Sequence, residues 1–404
     1  MKVSSKLFPP SGGTKGGSFP PFGGTKGGVF HSSWGIKGGI LFLLVLFFAA
    51  CTAELPKTVA PEVMQEIYEE VKTPHKYGLI LVPDSNKYKM DCPTIFRHND
   101  RWVMTYIVFD GRGYETWLAH SENLIDWDVQ GQIMQFTDTT DWDSNQKAGY
   151  PSLIDYEWGG DYAINTYDDN YWISYFGGNT RGYEKGLLSL GMAYTKNDPG
   201  ALHEWSRLEK PVLMSTDEDA GWYDNSTMYK SFIIEDKERH TGHPFVMYYN
   251  ARGDSINPNR GAERISMAVS DDMVNWQRYA NNPLLNHHKG ITGDAVIQKI
   301  GDVYVMFYFR AYWPEGRTVV YNSFACSYDL QNWTQWDGPH LIEPSESYDN
   351  LFAHKAYVIK YDGMVYHFYN AVDQLGNRGI ALATSKDIGK SNIEFKSKEE
   401  SEIK

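Results

Sequence analysis

A seven-residue phrase recurs along this chain and constrains its fold more than any other feature. It runs from Ser121 to Trp127, from Ser270 to Trp276 and from Ser327 to Trp333, each time as Ser-x-Asn/Asp-Leu/Met-x-Asp/Asn-Trp. A looser copy spans Thr195 to Trp205, and a truncated one spans Ser385 to Ile388. Every copy follows a short apolar run: Trp117–Ala119, Gly191–Ala193, Ser266–Ala268, Ser323–Ala325 and Ile380–Ala383. Self-similarity at a period of tens of residues is the signature of a repeat architecture.

The units can be laid side by side. Each opens with a short strand: Asp91–Phe96, Gly149–Ile154, Asp224–Tyr229, Gly293–Gln298 and His354–Ile359. Each continues into an aromatic strand: Trp102–Tyr106, Tyr171–Phe176, Phe245–Tyr249, Tyr304–Phe309 and Val365–Tyr369. The third strand carries the Ala-x-Ser phrase, and its Trp leads to an outer strand. Four β-strands per unit and five units predict an all-β fold, a five-bladed β-propeller. The spacing of roughly 60–75 residues exceeds that of common propeller repeats, so some connecting loops are long.

The segment before the repeats has a different character. Residues 1–38 hold two copies of a Phe-Pro-Pro…Gly-Gly-Thr-Lys-Gly-Gly phrase, too poor in apolar residues to bury a core. Ile40 to Ala50 is an apolar stretch too short to span a bilayer, and small residues then precede Cys51. Phe48-Ala-Ala-Cys51 resembles a bacterial lipobox. It implies cleavage before Cys51, lipidation of that cysteine and a lipoprotein of the bacterial cell envelope, with plain secretion as the alternative. The expected organisation is a leader over 1–50, a tether and short helix over 51–78, the propeller over 79–392 and a polar tail over 393–404. Within the tether, Pro61 to Lys72 has apolar residues at helical spacing with Pro near its start, and predicts the amphipathic helix.

The net charge of −13 argues against nucleic acid as a partner, because phosphate binding needs a Lys and Arg surplus. Beyond the lipidation candidate there are two cysteines, Cys92 and Cys326, in the first and fourth repeats. Two cysteines make no disulfide framework, and free buried thiols are expected. There is no Cys/His zinc spacing and no EF-hand loop, so no cofactor is expected. A structural calcium or sodium ion on the axis, and a homodimer through the helix, are left open.

The alignment of units places Asp91, Gly149, Asp224, Gly293 with Asp294 beside it, and His354 at one position of the innermost strand. Equivalent positions of different blades converge on the propeller axis. Strand interiors disfavour Asp, so recurring carboxylates there need a reason. One carboxylate to activate water or attack a sugar, and one acid to protonate the leaving oxygen, are what glycoside hydrolysis requires. A neighbouring carboxylate can raise the pKa of the acid.

A second recurrence is Arg112-Gly-Tyr-Glu115, Arg181-Gly-Tyr-Glu184 and Arg260-Gly-Ala-Glu263, between the second and third strands. Arg252 and Arg310 follow aromatic strands in the same way. Guanidinium forks suit sugar hydroxyls, carboxylate or sulfate, and also inter-blade Arg–Glu pairs. Trp222, Trp313 and Tyr312 fall in rim loops where they could stack on sugar faces.

The five units, the Asp of the first innermost strand and the Ala-x-Ser-x-Asp-Leu-x-x-Trp phrase resemble the five-bladed propeller glycosidases of families 43, 117 and 130, over about residues 79–390. In the second blade Gly149-Tyr150-Pro151 stands where family 43 has an Asp-Pro, and in the third Asp224 stands in place of its Glu. Asp91, Asp294 and His354 look more like the family 117 arrangement. The resemblance implies an inverting, exo-acting hydrolase that trims algal or plant oligosaccharides, anhydrogalactose-type ones included. On it, Asp91 is the general base, His354 or Asp224 the acid, and Asp294 a pKa modulator that also binds a hydroxyl. Arg112, Arg181, Arg252, Arg310, Trp222 and Trp313 would bind substrate, and Glu343 and Glu346 are second-choice acids. The alternatives are a family 43-like arabinofuranosidase or xylosidase, a family 130-like phosphorylase using Lys355, Arg310 and His287–Lys289, and a sugar-binding propeller without catalysis.

Overall fold

The computed structural model describes residues 54–253 and 262–396. The leader, Cys51, Arg260 and the end of the tail lie outside the described residues.

The helix α1 spans Pro61–Val71 and buries Met64, Ile67 and Val71, the stripe that its sequence predicts. These side chains pack on Val305, Phe307, Phe324 and Val358. The strand β1, His75–Leu81, follows at once. The β-structure therefore starts inside the segment expected to be tether and helix.

Among the described residues, twenty strands form antiparallel sheets. The first unit holds β2 (Lys89–His98), β3 (Arg101–Phe109), β4 (Tyr114–Ser121) and β5 (Asp128–Met134). The second holds β6 (Gln146–Pro151), β7 (Tyr171–Gly178), β8 (Ser189–Thr195) and β9 (Ser206–Arg207). The third holds β10 (Thr227–Glu235), β11 (Phe245–Arg252), β12 (Glu263–Ser270) and β13 (Trp276–Arg278). The fourth holds β14 (Ile291–Ile300), β15 (Val303–Tyr312), β16 (Val319–Ser327) and β17 (Thr334–Gln335). The fifth holds β18 (Phe352–Tyr361), β19 (Met364–Val372) and β20 (Arg378–Thr384). Its outer strand is β1, which pairs antiparallel with β20 and so ties the two ends of the fold together. One parallel bridge, Lys89 with Arg378, joins the fifth sheet to the first.

The recurrent phrase is the turn from the third to the fourth strand. Ser121 Oγ accepts from the backbone N–H of Asn123 and Leu124, and Asn123 Oδ1 accepts from Ile125 and Asp126. Trp127 Nε1 donates back to the Leu124 carbonyl at 3.2 Å. The same bonds recur around Ser270, Asp272 and Trp276, and again around Asp329 and Trp333. Leu124, Met273 and Leu330 all adopt left-handed φ angles of 63 to 68°. That conformation costs a non-glycine residue roughly 1–2 kcal/mol. It is offset here by complete burial of the three side chains and by the satisfied turn amides. The repeated phrase is thus architectural.

A second device repeats around the sheets. Tyr175 Oη donates to Asp143, which pairs with Arg207. Tyr249 Oη donates to Asp224, which pairs with Arg278 at 2.7 Å. Tyr369 Oη donates to Asp349, which pairs with Lys76. In each case the Asp lies just before the first strand, the Tyr on the second and the cation on the fourth.

Candidate active site

Four of the five first strands carry a β-bulge at the same place. The register slips between Asp91 and Thr94, Met228 and Ser231, Gly293 and Val296, and His354 and Tyr357. A bulge re-aims a side chain. Here the re-aimed residues Cys92, Lys230, Asp294 and Lys355 all reach one cavity, and Tyr150 joins them from the unbulged β6. Three of the four, Cys92, Asp294 and Lys355, hold left-handed φ angles of 55 to 61°. Gly293 is required beside them, because a Cβ there would stand 2.3 Å from Asn250 Nδ2. Asn250 in turn donates to Asp294 Oδ1 at 2.6 Å.

The cavity measures about 210 Å³. This is below the roughly 300–1,000 Å³ of pockets for drug-sized ligands, and suits one sugar residue better than several. Its acids are Glu184, Glu263 and Asp294, and its cations are Lys230, Arg252, Lys355 and Arg378.

Glu263 opens β12 and is buried. Burial, with Glu184 and Asp294 as like charges nearby, raises its pKa to about 7 against the opposing pull of Arg252. Arg252 Nη2 donates to Glu263 Oε1 at 2.8 Å. Glu184 lies in the loop before β8 with a left-handed φ of 49°. Burial also raises its pKa, and Asp91 adds to this, while Lys355, Arg378 and a bond from Tyr183 favour its ionised form. Two carboxyls in one cavity, each with a raised pKa, are the equipment of acid–base chemistry on a glycosidic bond.

Asp91 sits directly behind this cavity and has no exposed surface. Arg378 Nη1 donates to its Oδ2 at 2.7 Å, and Lys355 Nζ lies 3.5 Å from its Oδ1. Burial alone would raise the Asp91 pKa, but Lys355, Arg378 and His354 together hold it below the usual carboxylate value. Arg378 also donates to Tyr183 Oη at 3.2 Å. Asp91 therefore fixes two cations that line the cavity.

His354 lines the cavity with its ring edge-on to Phe309. Burial and the neighbouring Lys355 lower its pKa to about 3, so it is neutral near pH 7. Asp294 accepts from Asn250 and from the Cys92 thiol. Arg252 and Trp313 also line the cavity, and Trp313 is half exposed at its mouth.

The remaining residues singled out in the sequence lie elsewhere. Asp224 is not at the position of Asp91; the third unit's first strand starts at Thr227, and Met228 takes that place. Asp224 belongs to the Tyr249–Asp224–Arg278 device. Arg112 donates to Asn145, the Thr137 carbonyl and Asp138. Arg181 is exposed and does not line the cavity. Arg310 bonds Tyr321 Oη and stacks on Tyr312, and Arg264 stacks on Trp222. Glu343 pairs with His340 in a separate groove that Glu346 also lines. Cys92 and Cys326 are buried free thiols. Among the described residues, no group of three or more His, Cys, Asp or Glu is arranged to hold a metal ion.

Glu184 and Glu263 escaped the sequence reading as candidate acids. Their signal was present, because both close an Arg-Gly-x-Glu phrase. The third copy, Glu115, instead accepts from Gln132 and from the Phe136 amide, outside the cavity.

One solved structure, a BT0996–RGII complex, is 51% identical to this protein. The match covers 84% of this protein and 99% of that one, with a TM-score of 0.81. A second, described as a glycoside hydrolase, is 50% identical with the same coverage and TM-score. This protein belongs to the propeller glycoside hydrolases. A family 117 glycoside hydrolase from Zobellia galactanivorans, Zg3597, shares the fold of this glycoside hydrolase at 12% identity and a TM-score of 0.55, over 78% of this protein and 91% of its own length. A thermostable family-43 glycoside hydrolase does so at 14% and 0.52, over 77% and 95%. No family model and no curated protein matches the sequence.

Proposed function

We propose that this glycoside hydrolase is a five-bladed propeller that removes one terminal sugar from an oligosaccharide of the RGII kind, with Glu184 and Glu263 as its carboxyl pair. The observation that carries the reading is that both glutamates enter one small cavity lined by all five sheets. The RGII part rests on the relative that shares 51% of its residues. The cavity's size favours an exo-acting enzyme.

In this reading Glu263 is the general acid. With a pKa of about 7 it still holds its proton near neutrality. It gives that proton to the glycosidic oxygen as the bond to the anomeric carbon breaks. Glu184 is the carboxylate on the other face. Lys355 and Arg378 favour its charge, and it acts there either as base toward water or as nucleophile. Asp91 positions Arg378 and Lys355, and His354 supplies a neutral wall. Asp224 is assigned a structural role. The leader and Cys51 fit export to the cell envelope.

The test is incubation of purified protein with RGII oligosaccharide, read by NMR, with Glu263→Gln and Glu184→Gln in parallel. Release of a terminal sugar by wild type alone supports the reading, and the configuration of the first-formed anomer assigns inversion or retention. An untouched oligosaccharide rejects the substrate. Wild-type turnover by either variant rejects the carboxyl pair.

A further inference from the structure

Four cations line the cavity, and three of them have acidic partners: Arg252 has Glu263, while Arg378 and Lys355 share Asp91. The fourth is Lys230. Its residue is 3% exposed, and its Nζ has no hydrogen-bond partner among the described residues. It lies over the Tyr150 ring, 5.5 Å from the centroid. Tyr150 is 1% exposed, and its hydroxyl has no nitrogen or oxygen partner among the described residues. Both side chains line the cavity.

A buried ammonium without an acceptor is costly, and an aromatic face compensates only part of that cost. The nearby acid Asp294 accepts from Asn250 and Cys92 but not from Lys230, whose Nζ makes no hydrogen bond to it. The Lys230 ammonium thus lacks an acceptor, the Tyr150 hydroxyl has only the Cys92 sulfur beside it, and the two donors from neighbouring sheets face the same cavity. The guest they call for presents an oxygen acceptor. A sugar in this cavity offers its hydroxyl oxygens as such acceptors.

We propose that Lys230 and Tyr150 form a donor pair on the cavity floor that binds one hydroxyl oxygen of the terminal sugar and decides which sugar is accepted. The inference rests on the cavity being the terminal-sugar site. A site built to bond a hydroxyl strongly rejects the analogue that lacks it, because its buried donors are then left unpaired.

The experiment measures binding, so it does not depend on turnover. L-Arabinose, D-xylose, L-rhamnose, L-fucose and D-galactose are titrated calorimetrically into the full-length protein, its Lys230→Met form and its Tyr150→Phe form. The monodeoxy forms of the best wild-type binder follow. Lys230→Met is expected to weaken that binder about 10- to 100-fold, and Tyr150→Phe by less. One deoxy sugar should be penalised by wild type to a similar extent and barely by Lys230→Met. The melting temperature of Lys230→Met should be unchanged or higher, since an unpaired buried charge is removed.

Equal affinity of wild type and Lys230→Met, with the same deoxy pattern, would overturn the proposal. So would binding of none of the sugars to wild type. A melting temperature several degrees lower with affinity retained would show that the ammonium serves the fold instead. An RGII oligosaccharide left intact by a protein that binds a monosaccharide through Lys230 rejects the proposed substrate and leaves the donor pair standing.

Discussion

Arg252 donates to Glu263 across 2.8 Å, yet Glu263 keeps a pKa of about 7 because its burial and the two carboxyls beside it outweigh that single cation. The balance sets how this enzyme should respond to pH. A general acid works while it is protonated, so kcat/KM is expected to fall as pH rises through about 7. On the acid side, activity should appear as Glu184 ionises, above the ordinary glutamate value, since its pKa is also raised. A pH–rate profile of kcat/KM on RGII oligosaccharide checks both limbs. A flat profile from pH 6 to 9 would count against Glu263 as the acid.

Removing the cation should move the alkaline limb. Arg252→Met deletes the guanidinium that holds the Glu263 pKa down, so the limb is expected to shift upward by about one pH unit. The same profile measured on the variant decides this. A lower maximum with an unmoved limb would mean that Arg252 serves substrate binding alone.

Glu263 also links stability to pH. Its folded pKa is raised above the unfolded value, so its contribution is complete below about pH 4.3 and is lost as pH rises through about 7. Glu263→Gln removes the ionisable group. Its melting temperature relative to wild type is expected to be higher at pH 8 than at pH 5, while turnover falls at least about a hundredfold. Thermal melts at the two pH values test this sign.

Asp91 is expected to matter for the fold as well as for rate. Asp91→Ala leaves Arg378 and Lys355 without their shared counter-ion, a loss of about 3–5 kcal/mol for a broken buried pair. The Asp91 pKa is lowered, so in wild type its contribution is present above the unfolded value near 3.9 and is lost as pH falls through the folded pKa. Urea unfolding of Asp91→Ala at pH 7 gives the magnitude. A midpoint equal to that of wild type would remove the positioning role.

Asp224→Ala should resemble a structural lesion. It removes the Arg278 Nε bond and the acceptor of the Tyr249 hydroxyl, while Asp217 and Asp219 still hold the guanidinium, so a cost of about 1–3 kcal/mol is expected. The folded fraction is expected to keep the wild-type KM. A selective loss of kcat at unchanged stability would return Asp224 to the catalytic machinery.

The all-β units, their strand order, the helix over Pro61–Val71 and the recurrence of the turn phrase were legible in the sequence alone. They rest on local chemistry. Side-chain alternation, helical periodicity and a Ser–Asp–Trp turn that closes its own hydrogen bonds all act within a few residues.

The site was legible only in part, and the cause was register. Aligning units by their acids set Asp224 level with Asp91, whereas hydrogen-bonded pairing puts Met228 there. A bulge adds one residue to four of the five first strands and brings its neighbour to the cavity, so Cys92, Lys230, Asp294 and Lys355 enter where strict alternation names other residues. The Arg-Gly-x-Glu phrase was visible three times. Nothing local distinguishes Glu184 and Glu263 from Glu115, which is spent on Gln132 and a backbone amide. Which carboxyls share one cavity, and so have their pKa values raised together, depends on distances between sheets far apart in the sequence. Only the closed tertiary structure sets those distances.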